Sequence, residues 1–582
     1  MAPTGVPNPP PPLGEIGADG RANPRISSAF GASEVAGSGA RLAPATGKTV
    51  GWAQNTPVTG SPSGPSRPPL PHAPRNRMRT AYLFAATATL LPALAAQENE
   101  PPKFEPLAAD RQKGFESIDV ETCTAWLTYL ASDELGGRET GQPGYKLAAD
   151  FIAARFKEFG LKPVGGDGTY FQAVPFAKVG PNVETSYLAI RTAEGEELFR
   201  VTPGKGLGGQ ISEKSDREAE IVELVANTVD DVKDADVKGK VVLFTDKSSR
   251  GRRSRATFEL WRAAPAGIIS VNDEAAATVR RRIAAGGSRN SARRGRFRRP
   301  NTYSITGELA LQIRAALKEH GTLTMKAFIE IERKPVFAAN VVGFLEGSDP
   351  ALKHEIVGVG SHLDHIGKNG QRINNGADDD GSGTTGVLAV ARAFSVNGVR
   401  PRRSILFMCF SGEEKGLIGS RHYVNNPIFP NENMIAELQM DMIGRNEEFV
   451  NRRSGEVTEK AEDNVNSLHL VGTKKLSMDL HEVCLEKNSA HIGFDFEYDE
   501  EDVFGRSDHA NFARKDIPIA FFFTGFHPQY HQPDDTVDRI NFPKLVRVAK
   551  LVYSVAFEIA DRDERIVRDR LFKDVPRTRR RR

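Results

Sequence analysis

The residues best suited to chemistry lie in the second half of this 582-residue chain. Gly360-Ser361-His362-Leu363-Asp364 is followed by Asn375-Gly376-Ala377-Asp378-Asp379-Asp380-Gly381-Ser382-Gly383, close to the apolar run Ile356-Val357-Gly358-Val359. Setting an imidazole and four carboxylates beside apolar chain is costly unless opposite charge holds them. A pair of divalent metals would do so. Imidazole nitrogen and carboxylate oxygen both bind zinc, and a catalytic zinc keeps one position open for water. More donors follow downstream: the adjacent Glu413 and Glu414, then Asp441, then His531. Two histidines and three carboxylates, one of them bridging, would give each of two metals one His and two carboxylates. The bridge must be rigid and close to the backbone, which selects the glycine-flanked Asp378 to Asp380 without choosing among them. Of Glu413 and Glu414, one can ligate while the other stays free as general base, a role worth about 10²- to 10⁴-fold. Hydrolysis by a metal-activated water is the expected chemistry.

The elements that must position these groups alternate between strand and helix. Apolar segments at 340–345, 355–360, 404–410, 435–440, 468–471 and 517–523 read as strands, with helical patterns at 383–394, 475–487 and 542–559. Such alternation predicts an α/β fold with a mainly parallel, helix-covered mixed sheet. Ligands then gather beyond the carboxyl ends of the strands. His362 and Asp364 follow one predicted strand, Glu413 and Glu414 a second, and Asp441 a third; His531 falls in the loop after a fourth. Upstream, apolar residues at helical spacing from Asp119 and from Tyr145 to Phe159, stopped by Gly160, predict two scaffold helices.

The remaining sequence bounds the organisation. Residues 1–77, rich in Pro, Gly, Ala and Ser, read as a disordered or mis-annotated leader. Residues 78–96 have the basic start, short apolar centre and Ala-x-Ala exit of a signal peptide, so the mature protein is expected to be secreted or periplasmic, without a stable membrane span. Residues 97–181 and 339–565 form the predicted main domain, 182–338 a smaller β-rich domain inserted into it, and 566–582 a basic tail. The insert carries arginines at 250–255, 280–282 and 293–299, but base-stacking aromatics are sparse there, and 78 basic against 75 acidic residues give no overall support for nucleic-acid binding. These arginines and Arg579 to Arg582 read as solvated surface. Three cysteines, Cys123, Cys409 and Cys484, are too few for a disulfide framework, though one bridge is possible. The absence of Gly-x-Ser-x-Gly and His-Glu-x-x-His argues against a serine hydrolase and a zincin.

Taken together, the motifs resemble those of the co-catalytic di-zinc aminopeptidases, relatives of the glutamate carboxypeptidases and the transferrin receptor. The resemblance rests on His-x-Asp at 362–364, Gly-Ala-Asp-Asp-Asp-Gly-Ser-Gly at 376–383, Gly-Glu-Glu-x-Gly-Leu-x-Gly-Ser at 412–420, Gln-Met-Asp-Met at 439–442, Arg-Ser-Asp-His at 506–509 and His-Gln-Pro-Asp-Asp-Thr at 531–536, in the family's order. It implies a zinc-peptidase (phosphorylase/hydrolase-like) fold and two Zn²⁺ ions: His362 and Asp441 complete one site, Glu414 and His531 the other, and Asp379 bridges. It further implies Glu413 as general base, Asp364 as the carboxylate orienting His362, and peptides as substrates of a secreted metallo-aminopeptidase. A carboxypeptidase or amidohydrolase would use the same metal residues, and a non-catalytic receptor homologue would lack some of them. Leu130 to Arg138 looks like the opening of these catalytic domains, and the insert is more loosely similar to a protease-associated domain. Phe504 stands where some members carry an oxyanion-steadying tyrosine, so that role passes to the zinc ions or to Tyr530 or His509. Asp378 and Asp380 read as loop-shaping residues, and His365, His422, His481 and His527 as structural or surface histidines.

Overall fold

The computed structural model describes residues 104–211, 213–247, 255–285, 300–451, 454–498 and 503–574. The readings of 1–77, 78–96, the arginines at 250–253 and 293–299, and Arg579 to Arg582 lie outside them. All described residues belong to one compact unit within Gln97–Arg582.

Six strands make up the centre of the main sheet: β1 Ala339–Leu345, β2 Ile356–His362, β3 Ser404–Phe410, β4 Met434–Met440, β5 Ser467–Val471 and β6 Ile519–Phe523. Their order is β1-β3-β2-β4-β6-β5, with short segments at 162–163, 171–173 and 495–497 completing nine strands. The four middle strands run parallel, in the order β3-β2-β4-β6, and β1 and β5 flank them antiparallel. The predicted strand positions agree with the observed ones to within about two residues.

Side-chain alternation explains why these strands read as continuous apolar runs. On β3, Ile405, Phe407 and Cys409 enter one core, and Leu406, Met408 and Phe410 enter another on the opposite face. The first core is closed by helices α1 Val120–Leu130, α2 Pro143–Glu158, α3 Gly383–Val396, α4 Met478–His491 and α5 Phe542–Asp561. Helix α1 starts where the Asp119 carboxylate accepts the Thr122 N–H at 2.7 Å, and α5 starts at an Asn541 cap followed by Pro543. The second core is closed by shorter helices, including Ile418–Asn425 and His509–Ala513. Cys123, Cys409 and Cys484 are each buried as free thiols, so the possible bridge is not formed.

Between Tyr187 and Ile329, eight strands close into a barrel with an apolar centre of its own, built around Leu188, Ile190, Leu243, Ile269 and Ile313. A three-stranded sheet of Phe176–Pro181, Arg282–Ala285 and Ile331–Val336 stands where the chain enters and leaves this region. Arg255, Arg280 and Arg282 are exposed, and Arg281 pairs with Glu332 at 3.6 Å. Among the described residues, no helix is long and apolar enough to cross a membrane.

Candidate metal centre

Strand register brings the site residues to one edge. His362, the last residue of β2, lies opposite Phe410, the last of β3, so the turn bearing Glu413 and Glu414 begins beside it. Met440, the last residue of β4, pairs with Phe522 of β6, which places Asp441 at the same edge. The loop after β6 returns to deliver His531, held in the left-handed region at φ 58°, an uncommon and strained setting for a non-glycine residue.

Asp379 stands between two groups of donors. Its Oδ1 is 3.3 Å from His362 Nε2, which is itself 3.5 Å from Asp441 Oδ2. Its Oδ2 is 3.0 Å from His531 Nε2 and 3.7 Å from His365 Nδ1, and Glu414 Oε1 lies 3.2 Å and 3.0 Å from the same two nitrogens. One aspartate thus turns one oxygen toward each group. Asp379 Oδ2, Glu414 Oε1 and both ring nitrogens of His365 are buried without a hydrogen bond. Orphaned donors of this chemistry in one cluster, joined through Asp379 to a second grouping of His362 and Asp441, fit divalent metals.

The electrostatics agree. Burial pushes the His362 imidazole toward neutrality, but Asp441, Glu413 and Asp380 overcome it and hold its pKa well above the usual histidine value. At His531 burial is likewise outweighed, here by Asp379 and Glu414, and the pKa rises to about 10. A pocket with such an excess of negative field attracts cations, and a bound metal displaces those protons. Burial lifts the Glu413 carboxyl well above its usual range, reinforced by Asp508 and Asp441, the direction a general base needs.

The surrounding hydrogen bonds fix the geometry. The Asp364 carbonyl, which can only accept, takes the His362 Nδ1–H at 2.9 Å and leaves Nε2 free to face Asp379 and Asp441. The expected imidazole–carboxylate contact is therefore made by the main chain of Asp364; its carboxylate Oδ1 accepts the Glu413 N–H at 3.0 Å. The Asp380 carboxylate accepts the N–H groups of His362, Gly383 and Met442, tying β2, α3 and the end of β4 together. Asp378 Oδ1 accepts the Gly444 N–H at 2.7 Å. Both residues shape the loop, as their sequence setting predicts.

Three residues gain roles that the sequence did not reveal. The buried Arg138 guanidinium donates to the carbonyls of Leu130, Leu363, Asn375 and Gly376, fixing the loop before Asp379. Asp535 accepts the N–H groups of Asp378 and Asp379 at 3.1 Å, coupling the His531 loop to the Asp378–Asp379 turn. Its place in the 531–536 motif was the available signal. His365, read as structural or surface, is buried beside Glu414. Of the other histidines, His527 is buried with Nε2 3.3 Å from Asp378 Oδ2, and His481 is close to Thr473 Oγ1 at 3.0 Å. Half-buried His422 sits near the end of its helix.

Beside the centre lies a cleft lined by His362, Asp379, Glu413, Asp441 and His531 together with the apolar Met442, Val503, Phe521, Phe523 and Phe526. Tyr530 lines it too, its ring 3.9 Å from that of His531. His509 does not: its Nε2 is 3.0 Å from the Phe504 carbonyl, its ring stacks on Phe521, and burial lowers its pKa to about 3. Phe504 packs against Phe572.

Residues 340–556 match the model described as Peptidase family M28. A probable leucine aminopeptidase of Trichophyton verrucosum is 31% identical over 220 residues, covering 36% of this chain and 56% of the relative. Aminopeptidase YwaD of Bacillus subtilis is 28% identical over 262 residues, covering 43% and 49%. The chain thus spans about half the length of these curated relatives. Among solved structures, an aminopeptidase from Aneurinibacillus sp. strain AM-1 aligns with a TM-score of 0.46 and 24% identity, over 81% of this chain and 100% of that one.

Proposed function

We propose that this chain, whose residues 340–556 match the model described as Peptidase family M28, is a member of that family and a zinc-dependent aminopeptidase that releases the N-terminal residue of peptides. The observation that carries the reading is Asp379 set between two His–carboxylate groups, with Glu413 beside them and outside both. His362, Asp441 and Asp379 would hold one Zn²⁺, and Asp379, Glu414 and His531 a second. When bound, the ions would polarise the scissile carbonyl and lower the pKa of water toward about 7.

The chain's own groups do the rest. Glu413 takes the proton of the attacking water and passes it to the leaving amine. The Asp364 carboxylate holds the Glu413 main chain, and the Asp364 carbonyl holds His362 in the tautomer that presents Nε2. Tyr530 faces the cleft, and burial raises its phenol pKa, so its O–H persists as a donor for the developing oxyanion. The Phe521, Phe523 and Phe526 wall suits an apolar first side chain. The relatives named as leucine aminopeptidases support this preference. We read residues 182–338 as a protease-associated-like domain and 78–96 as an export signal, the latter checked by N-terminal sequencing of exported protein.

A panel of aminoacyl-anilides, free and N-acetylated, before and after metal removal, tests the assignment. Free-amine substrates with apolar side chains should be cleaved, N-acetylated ones should not, and chelation should abolish turnover. Preferential cleavage of the N-acetylated anilides would instead indicate an amidohydrolase, and activity indifferent to metal removal would refute the mechanism.

A further inference from the structure

We propose that His365 is a fourth protein ligand at one of the two metal positions, which makes the pair unequal. His365, His531, Glu414 and Asp379 close one position, whereas His362, Asp441 and Asp379 leave the other open. The inference rests on the metal-centre reading above.

His365 lies just past β2, three residues beyond His362. Its ring is fully buried, and neither nitrogen has a hydrogen-bond partner. Leaving a buried polar group in that state is costly, so the position calls for a compensating interaction. The ring is aimed at one. Its Nδ1 lies 3.0 Å from Glu414 Oε1 and 3.7 Å from Asp379 Oδ2, and His531 Nε2 lies 3.2 Å and 3.0 Å from the same two oxygens. Donors bound tetrahedrally to zinc at about 2.0–2.1 Å stand roughly 3.3 Å apart, and the four separations bracket that value. The two imidazoles meet edge to face with centroids 5.7 Å apart, so both reach the oxygens without overlapping.

The sequence makes room for this ring. Gly376, three residues before the bridge, has φ 61°, and a Cβ there would come within 2.5 Å of His365 Cγ. The His365 N–H is held by the Arg138 carbonyl at 3.3 Å.

The difference between the two positions has a chemical meaning. Zinc sites with four protein ligands are closed and structural, and those with three keep a place for water or substrate. The cleft is weighted toward the open position: His362, Asp441 and Glu413 line it, and of the closed position His531 and the shared Asp379 reach it whereas His365 and Glu414 do not. The open position therefore lies beside the base, whose charge acts on His362, and the closed position shares Asp379 with it.

Stepwise Zn²⁺ and Co²⁺ titration of the metal-free full-length protein against a chromophoric chelator, with metal analysis after chelator washing, tests this. Wild type should bind two ions with affinities at least tenfold apart, and the tighter should survive washing. His365→Asn should lose the wash-resistant ion, weaken that step at least tenfold and change the visible spectrum of its Co²⁺ form. Its metal-free melting temperature should stay at the wild-type value. Wild-type affinities at both steps in His365→Asn would overturn the proposal. So would two equal steps in wild type, a result that needs no variant to fold. Fewer than two ions in wild type would instead overturn the two-metal reading itself.

Discussion

Glu413 and Asp364 form a pair in which each depends on the other's placement. Glu413 reaches the cleft as a half-buried side chain, and its backbone N–H is held by Asp364 Oδ1. Glu413→Gln keeps the shape but cannot take a proton, so it should hold both metals while kcat falls about 10²- to 10⁴-fold, read by metal analysis beside turnover. Asp364→Ala acts at one remove. It frees the Glu413 main chain but keeps the carbonyl that holds His362 Nδ1, so kcat should fall about 10- to 100-fold with metal content preserved. Loss of an ion from that variant would show that the carboxylate supports the ligands instead. Tyr530→Phe removes a hydroxyl from the cleft and nothing from the metal ligands; a drop of about 10²-fold or more in kcat with unchanged KM is the expected mark of a lost oxyanion donor. An unaltered kcat would leave that task to the metals.

At the level of elements, the loop from Asn375 to Ser382 carries Asp379, the proposed bridge, and is fixed from three sides. Arg138 clamps its entry, Asp535 holds the N–H groups of Asp378 and Asp379, and Asp380 ties its exit to the strand ends. Gly376 is its most constrained point. A methyl group there would lie 2.3 Å from the Asp379 carbonyl and 2.5 Å from the His365 ring, at a backbone angle that disfavours any side chain. Gly376→Ala should therefore destabilise the protein by more than about 1 kcal/mol and lower its metal content, measured by denaturant unfolding and metal analysis. An equally stable, fully metallated variant would mean that the loop has slack the structure does not show.

For the molecule as a whole, the metal centre joins four parallel strands of one sheet to a loop beyond the last of them. Buried carboxylates concentrated at that edge repel one another until a cation neutralises them, so metal removal should weaken the entire fold as well as stop turnover. On the proposed reading zinc would bind the folded chain in preference to the unfolded one, and at free metal 100 times Kd each ion should add about 2.7 kcal/mol. The melting temperature should consequently rise with free Zn²⁺ and fall on chelation. A melting temperature indifferent to metal would place the ions outside the folding equilibrium.

The strand and helix positions were legible because apolar runs and helical spacing are local signals, and β2, β3, β4 and β6 are buried on both faces. The donors His362, Asp379, Glu413, Glu414, Asp441 and His531 were legible as a set because each occupies a motif near a strand end. What the sequence could not decide depends on where a side chain points. His365 follows His-Leu-Asp as any surface histidine could; only packing of the loop against Gly376 and Glu414 turns its ring inward. Asp364 looked like the carboxylate partner of His362, yet the chain's path gave that contact to its carbonyl. The choice between Tyr530 and His509 likewise turned on stacking: His509 spends Nε2 on the Phe504 carbonyl, and Tyr530 faces the cleft. Sequence determined which chemical groups reach the edge of the sheet, because periodicity and motif spacing are written along the chain. Tertiary structure decided which atom of each group meets which partner, because those contacts join residues far apart in the chain and depend on how the loops pack.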